Sequence, residues 1–296
     1  MRLGLALPQI GPHANTERIA EVAARAEALG YESLWVGDRL HAADEPKTSY
    51  PGPAGMPSQQ RTSLDPLLVL TVAATATSSA LLGTSTLSAP LRAPIQLARS
   101  LAGLDRLSGG RLIAGFGLSW LRDEYEAAGV PWTERGARLD ETLDALAELW
   151  GPDPVCFDGR FSSISRGTFQ PKPQQQPVPI YLGGASPAAL RRAGRRADGW
   201  LGVPMPVDAL RHVLASIDDQ ARAVGRGPVA TAIRINPTIQ DLPTGIPGVG
   251  PIDDLVAYLR SLADLGVADA FVDLQLTTED TDSLLRTAED IRTAFP

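Results

Sequence analysis

Eight short apolar runs recur along this 296-residue chain, most of them followed by a segment long enough for a helix. No other feature restricts the fold as much. The runs occupy residues 2–7, 33–36, 81–87, 111–116, 178–182, 199–203, 229–235 and 270–274. Strands alternating with helices imply a parallel sheet with right-handed crossovers. Eight such units close into a (β/α)8 TIM barrel, a fold of about 250 residues. An open doubly wound sheet is the competing α/β architecture, but it needs fewer strands and no final helix returning to the first strand. No Gly/Ser linker divides the chain, so residues 1–296 read as one domain. Residues 152–176 are rich in Pro and Gln, with a small hairpin expected around Asp158-Gly159. They read as an insertion between strands four and five.

The stretch from Val178 to Trp200, VPIYLGGASPAALRRAGRRADGW, predicts a strand, a turn and a helix in succession. Ser186 suits a helix N-cap, and Pro187 suits the first helical position, where its missing N–H costs nothing. Gly183-Gly184 lets the backbone approach a ligand closely, and the helix start presents unpaired N–H groups to an anion. Two readings fit these residues: a phosphate seat for a cofactor, or a tight turn between strand and helix. Asp65-Pro66 signals another helix start, expected to run to about residue 77. Helices are also expected at 120–128 and 132–150, and a Gly/Pro loop at 242–251.

Composition excludes several classes of function. A net charge of −7 argues against a nucleic-acid partner. The single cysteine, Cys156, allows neither an internal disulfide nor a multi-cysteine metal site. His13, His41 and His212 lack metal-ligand spacing, so no metal is expected. No apolar run reaches the roughly 18 residues that span a bilayer. Met1-Arg2 leads straight into the first strand, which reads as a cytoplasmic protein without a signal peptide.

In a barrel of this kind the site lies at the C-terminal ends of the strands. The chain places there Pro8 and Gln9, then Asp38, Arg39 and His41, then Gly83 to Thr86. Further on come Gly117 to Trp120, Gly183 to Ser186, Asn236 and Gln275. No Ser/His/Asp set and no isolated carboxylate pair occurs. No lysine follows a strand, which argues against Schiff-base chemistry. Small and hydroxyl-bearing residues dominate at strands three to five. They suit a flat cofactor that carries the chemistry while the protein orients it. His41 is a candidate proton donor or a solvent-facing loop residue. Trp120 is a pocket wall or the first residue of a packed helix. One of the four arginines at 191, 192, 195 and 196 is expected to reach the cofactor. The long loop at 37–63 reads as a lid or substrate-binding segment.

Four blocks, YESLWVGDRL, GTSTLSAPLRAP, LDRLSGGRLIAGFGLSWLRDE and FQPKPQQQPVPIYLGGASPAALRRAGRRADGW, together resemble the bacterial luciferase-like monooxygenase superfamily. They stand in the family's order between about residues 31 and 200. The resemblance implies a (β/α)8 barrel using either reduced FMN or the deazaflavin coenzyme F420, and GTSTLSAP is more similar to the deazaflavin branch. It further implies a cis peptide at Ser85-Thr86 supporting the cofactor ring, and Leu118 and Ser119 lining the cofactor. Gly183, Gly184, Ala185 and Ser186 would bind phosphate, and Asp38 would lie beside the ring. Where sugar-phosphate dehydrogenases of that branch carry a catalytic histidine and an acidic glutamate, this chain has Arg39 and Trp120.

The expected activity is hydride transfer between coenzyme F420 and a small organic substrate, with Asp38 and His41 as candidate catalytic residues. The alternatives are an FMNH2-dependent monooxygenase fed by a separate reductase and a non-catalytic binding barrel. The resemblance also implies a homodimer.

Overall fold

Strand β1 (Arg2–Ala6) pairs with β2 (Ser33–Val36) on one side and with β8 (Asp269–Val272) on the other, and the second pairing closes the sheet. Around the ring follow β3 (Leu81–Thr84), β4 (Leu112–Gly117), β5 (Ile180–Gly183), β6 (Gly199–Gly202) and β7 (Ala230–Ile235), each parallel to its neighbours. This computed structural model describes residues 1–52 and 55–295, so positions 53 and 54 of the expected lid lie outside the described residues. The eight-stranded (β/α)8 barrel expected from the alternation is present.

Helices α1 (Ile19–Ala28), α2 (Pro66–Ala76), α3 (Pro94–Leu107), α4 (Arg122–Ala127), α5 (Arg135–Trp150), α6 (Pro187–Arg196), α7 (Val207–Arg222), α8 (Ile252–Asp264) and α9 (Thr281–Ala294) flank the strands. Local chemistry sets their starts. The Asp65 carboxylate accepts from the amides of Leu67 and Leu68, and Pro66 opens α2 as its sequence predicts. Ser186 caps α6 by accepting from the Ala189 amide at 3.2 Å. The helix expected from 120 starts instead at Arg122. The Trp120 carbonyl is taken by the Thr48 hydroxyl at 2.8 Å, and the Leu121 amide by the Ser119 hydroxyl at 3.1 Å. Between β4 and β5 the chain forms α4 and α5 and then, within the insertion expected at 152–176, an antiparallel hairpin of Val155–Asp158 with Ser163–Gly167. The loop expected at 242–251 is not wholly irregular, because Val249–Gly250 pairs with Thr238–Ile239. Beyond β3, the cis Ser85-Thr86 bond leads into Leu87–Ser88, which pairs with Phe116 and Gly117 at the end of β4.

Strand residues alternate between two cores. Leu34, Val36, Ile233 and Ile235 face outward against the helices. Trp35, Ile113, Tyr181, Leu201, Ala232 and Phe271 fill the barrel interior. The Trp35 and Phe271 rings stack with centroids 4.6 Å apart and planes 11° from parallel. Such a pair contributes about 1 kcal/mol beyond its area burial. Glycine at 83 makes the room: a Cβ there would lie 2.3 Å from the Trp35 ring. Below this layer the Trp35 indole donates to the Ser33 hydroxyl at 2.9 Å, which donates to Asp269 at 3.0 Å. Asp269 is ion-paired with Arg2. The barrel is thus sealed at its lower end and free at its upper end for a site.

Candidate functional site

Two adjoining cavities, about 530 and 720 Å³, lie across the C-terminal end of the barrel and share Ser85, Thr86, Leu118, Ser119, Trp120 and Arg234 in their walls. Each is of a size that holds a small molecule. The larger runs to the β5–α6 turn, and the smaller runs toward the loop that follows β2.

At the larger cavity's far end the chain turns through Gly183 to Ser186. Gly184 sits at φ +114°, a conformation side chains rarely adopt, and its carbonyl accepts from the Trp200 indole at 2.9 Å. A Cβ on Gly183 would lie 2.9 Å from the Thr86 methyl, so glycine keeps the slot beside Thr86 open. With Ala189 bonded to the Ser186 hydroxyl, the exposed amides of Ala185, Ser186 and Ala188 have no acceptor among the described residues. Together they present free N–H donors at the start of a ten-residue helix, the arrangement that suits an anion. Arg135 lines the same cavity. Its guanidinium lies 3.9 Å from the Trp132 ring centroid and donates to the Trp132 carbonyl at 2.7 Å, and no carboxylate among the described residues pairs with it. Of the four arginines on α6, Arg192 is the one at this cavity, paired with Asp140 at 2.7 Å. Unpaired amides, an open slot and a carboxylate-free guanidinium fit an elongated cofactor with a flat ring and a phosphate.

The smaller cavity is walled by side chains held in ion pairs. Asp38, 5% exposed, accepts from the Ser88 amide at 2.9 Å and from Arg92 at 3.2 Å. Burial pushes its pKa above the usual carboxylate range against the opposing pull of Arg92. Glu124 is 1% exposed. One of its oxygens accepts from the Leu40 amide at 2.8 Å and from the His41 amide and Arg39, each at 3.2 Å. Its other oxygen takes the Ser119 hydroxyl. The carboxylate therefore fastens the loop after β2 to the loop after β4. Arg39, so held, lies over Trp120 at 5.1 Å from the ring centroid. From β7, Arg234 pairs with buried Asp273 and donates to the Ser85 carbonyl at 3.0 Å.

The structure brings Asp38, Ser85, Thr86, Leu118 and Ser119 to the smaller cavity and Gly183, Gly184, Ala185 and Ser186 to the larger. His41 is not brought in. Its side chain is exposed and lines neither cavity, and it is the backbone N–H of this residue that meets Glu124. His13 is buried, with Nε2 2.9 Å from the Thr278 carbonyl oxygen. Trp120 is a pocket wall. Arg234 and Glu124 belong to the site although the sequence reading did not single them out. Arg234 was within reach of period-two counting, because Ala232, Arg234 and Asn236 fall on one face of β7. Glu124 left no local signal. Among the described residues no group of three or more His, Cys, Asp or Glu is placed to hold a metal, and no helix is long and apolar enough to cross a membrane.

A closed eight-stranded parallel barrel with two cavities across its upper end defines the TIM-barrel class. The chain belongs to the luciferase-like monooxygenase family, whose model matches residues 2–243. An uncharacterized protein of Mycobacterium tuberculosis is 31% identical over 261 residues, covering 82% of this chain and 92% of that protein. The F420-dependent glucose-6-phosphate dehydrogenase of Nakamurella multipartita is 33% identical over 203 residues, covering 65% of this chain and 52% of the relative. The crystal structure of monooxygenase RslO1 from Streptomyces bottropensis superposes with a TM-score of 0.79 at 23% identity, covering 99% of this chain and 98% of that one. Family and relatives place the chain among oxidoreductases.

Proposed function

We propose that this chain transfers hydride between coenzyme F420 and a small organic substrate. The observation that carries the reading is the continuity of the two cavities. An anion seat at 183–186 and a substrate-sized space beside Asp38 and Arg39 share one wall at Ser85 and Thr86. In this reading the amides of Ala185, Ser186 and Ala188 and the Arg135 guanidinium hold the coenzyme's phosphate and acidic tail. Thr86 and Leu118 flank its ring. When bound, the deazaflavin supplies two-electron hydride chemistry. The protein's share is to orient the two reactants and to keep bulk water from the space between them. Support for the deazaflavin comes from the GTSTLSAP block and from the F420-dependent relative at 33% identity.

The sugar-phosphate activity of that relative is not part of the proposal, because Arg39 and Trp120 stand where its branch uses a histidine and a glutamate. The same seat suits the phosphate of FMN, so a reduced-flavin monooxygenase served by a separate reductase is the second reading.

Titration of the purified protein with F420, followed by coenzyme fluorescence, and with FMN in parallel, decides between them. Binding of F420 at micromolar concentration with weaker FMN binding supports the proposal. Tight FMN binding with none of F420 replaces it by the flavin reading. Binding of neither points to a barrel without redox function.

A further inference from the structure

We propose that residues 47–52 form a flap shared by both cavities, which opens as one unit by release from the start of α4 while the two ends of its loop stay fixed. The part that concerns ligands rests on the reading of the cleft as a cofactor end and a substrate end.

Placement is the first argument. Thr48 and Ser49 line the larger cavity, and Tyr50, Pro51 and Gly52 line the smaller. One short run of chain therefore borders both spaces, so a single displacement of it alters both.

The fixed ends are the second. Buried Gln9 ties the beginning of the loop to its end. Its Oε1 accepts from the Gly37 amide at 2.8 Å, and its Nε2 donates to the carbonyls of Gly37 at 2.7 Å and of Leu64 at 2.8 Å. The Leu64 amide donates in turn to the Gln9 carbonyl at 3.0 Å. Beyond Gly37, Glu124 secures the amides of Leu40 and His41. Fixed ends of this kind let the middle of a loop swing as a unit.

The third is how the middle is held. Among the described residues, none from 37 to 52 belongs to either core. The Lys47 amide donates to Asp123 at 2.9 Å, and the Lys47 ammonium pairs with Glu126, both side chains half-exposed. The Thr48 hydroxyl donates to the Trp120 carbonyl at 2.8 Å and accepts from the Arg122 amide at 3.1 Å. Tyr50 and Trp120 meet edge to face with centroids 5.2 Å apart, and the Tyr50 hydroxyl accepts from Gln60 at 3.4 Å. Apart from Gln60, these partners all lie within residues 120–126. Exposed hydrogen bonds and an aromatic edge contact put a segment at the low end of local stability, and a surface ion pair adds little.

Amide hydrogen exchange on the full-length protein, resolved by residue with NMR, tests the flap. The Lys47 amide, held by Asp123, and the Arg122 amide, held by Thr48, report the release. The Gly37 and Leu64 amides, both held by Gln9, report the base. Protection at Lys47 and Arg122 is expected to agree within about three-fold and to be at least about ten-fold lower than at Gly37 and Leu64. Tyr50→Ala removes the ring from Trp120 and touches neither reporting bond. It is expected to lower protection at Lys47 and Arg122 together by about three- to ten-fold and to leave Gly37 and Leu64 unchanged. Saturating F420 is expected to raise protection at Lys47 and Arg122 by at least about ten-fold. Lys47 and Arg122 as well protected as the base would overturn the flap, as would amides indifferent to Tyr50→Ala. So would bound F420 that leaves both amides unchanged. Coenzyme fluorescence on the same samples reports binding itself. If FMN binds and F420 does not, FMN replaces it in the exchange measurement, and the deazaflavin reading falls while the flap is judged as before. If neither binds, the cofactor reading falls and the two comparisons without ligand decide the flap.

Discussion

Arg234 Nη1 donates to the carbonyl oxygen of Ser85 at 3.0 Å, so a cation from the seventh strand fastens the end of the third across the open barrel. The same guanidinium neutralises Asp273, which is 1% exposed. Arg234→Met strands that carboxylate in the interior. The expected loss is about 3–5 kcal/mol of folding stability, with most of it restored when Asp273→Asn is added. Urea denaturation of the single and double variants measures both. A single variant within about 1 kcal/mol of wild type would show that the pair contributes little.

Glu124 holds three donors from the loop after β2 and one from the loop after β4. Glu124→Gln presents an amide NH2 to donors that need an oxygen and leaves Arg39 without its counterion. We expect a stability loss of about 3 kcal/mol and faster hydrogen exchange at Leu40 and His41. Unchanged exchange at those two amides would mean that the loop is held by other contacts.

Glu27 supplies a pH-dependent case far from the cleft. Burial raises its pKa, but the amides of Ala80, Ser79 and Ser78 and the Ser79 hydroxyl outweigh it and bring the carboxyl down to about 2. The folded value lies below the unfolded one of about 4.3, so the stabilisation is complete above that pH and is lost as pH falls toward 2. Because the group lies at the surface and is partly exposed to screening water, the expected effect is about 1 kcal/mol, well short of the full shift. Glu27→Gln is therefore less stable than wild type at pH 7, and the gap closes between pH 4.3 and 2 in melts run across that range. A gap that stays constant with pH would contradict the assignment.

Gly184 tests the anion seat. Its φ of +114° disfavours any side chain, and a Cβ would lie 2.9 Å from that of Ala189. Gly184→Ala is expected to cost about 1–3 kcal/mol and to weaken F420 binding by turning the neighbouring amides. Equilibrium denaturation and fluorescence titration give the two numbers. Wild-type affinity in this variant would separate the turn from phosphate binding.

Sequence periodicity made the barrel readable because each strand must feed one core inside and another outside, and each helix must cover the strand it follows. The β5–α6 turn was readable for a similar reason: Gly183, Gly184, Ser186 and Pro187 each answer a local backbone need. Local rules do not reach Glu124. It sits in the polar run RDEYEA, and its partners at Leu40 and Arg39 are 84 and 85 residues away in the chain. His41 shows the reverse case, since a loop residue close in sequence to Asp38 need not point where Asp38 points. Arg234 lay between two apolar neighbours, Ile233 and Ile235, and read as part of a buried strand until its alternate position turned it inward.

The stacked Trp35–Phe271 layer blocks the barrel axis beneath the two cavities. Ser85 lies in the wall common to both cavities, so a ligand approaching it from above the barrel meets the mouth of the other cavity as well. The floor lines neither cavity, yet it leaves the occupants of both to share the upper end of the barrel.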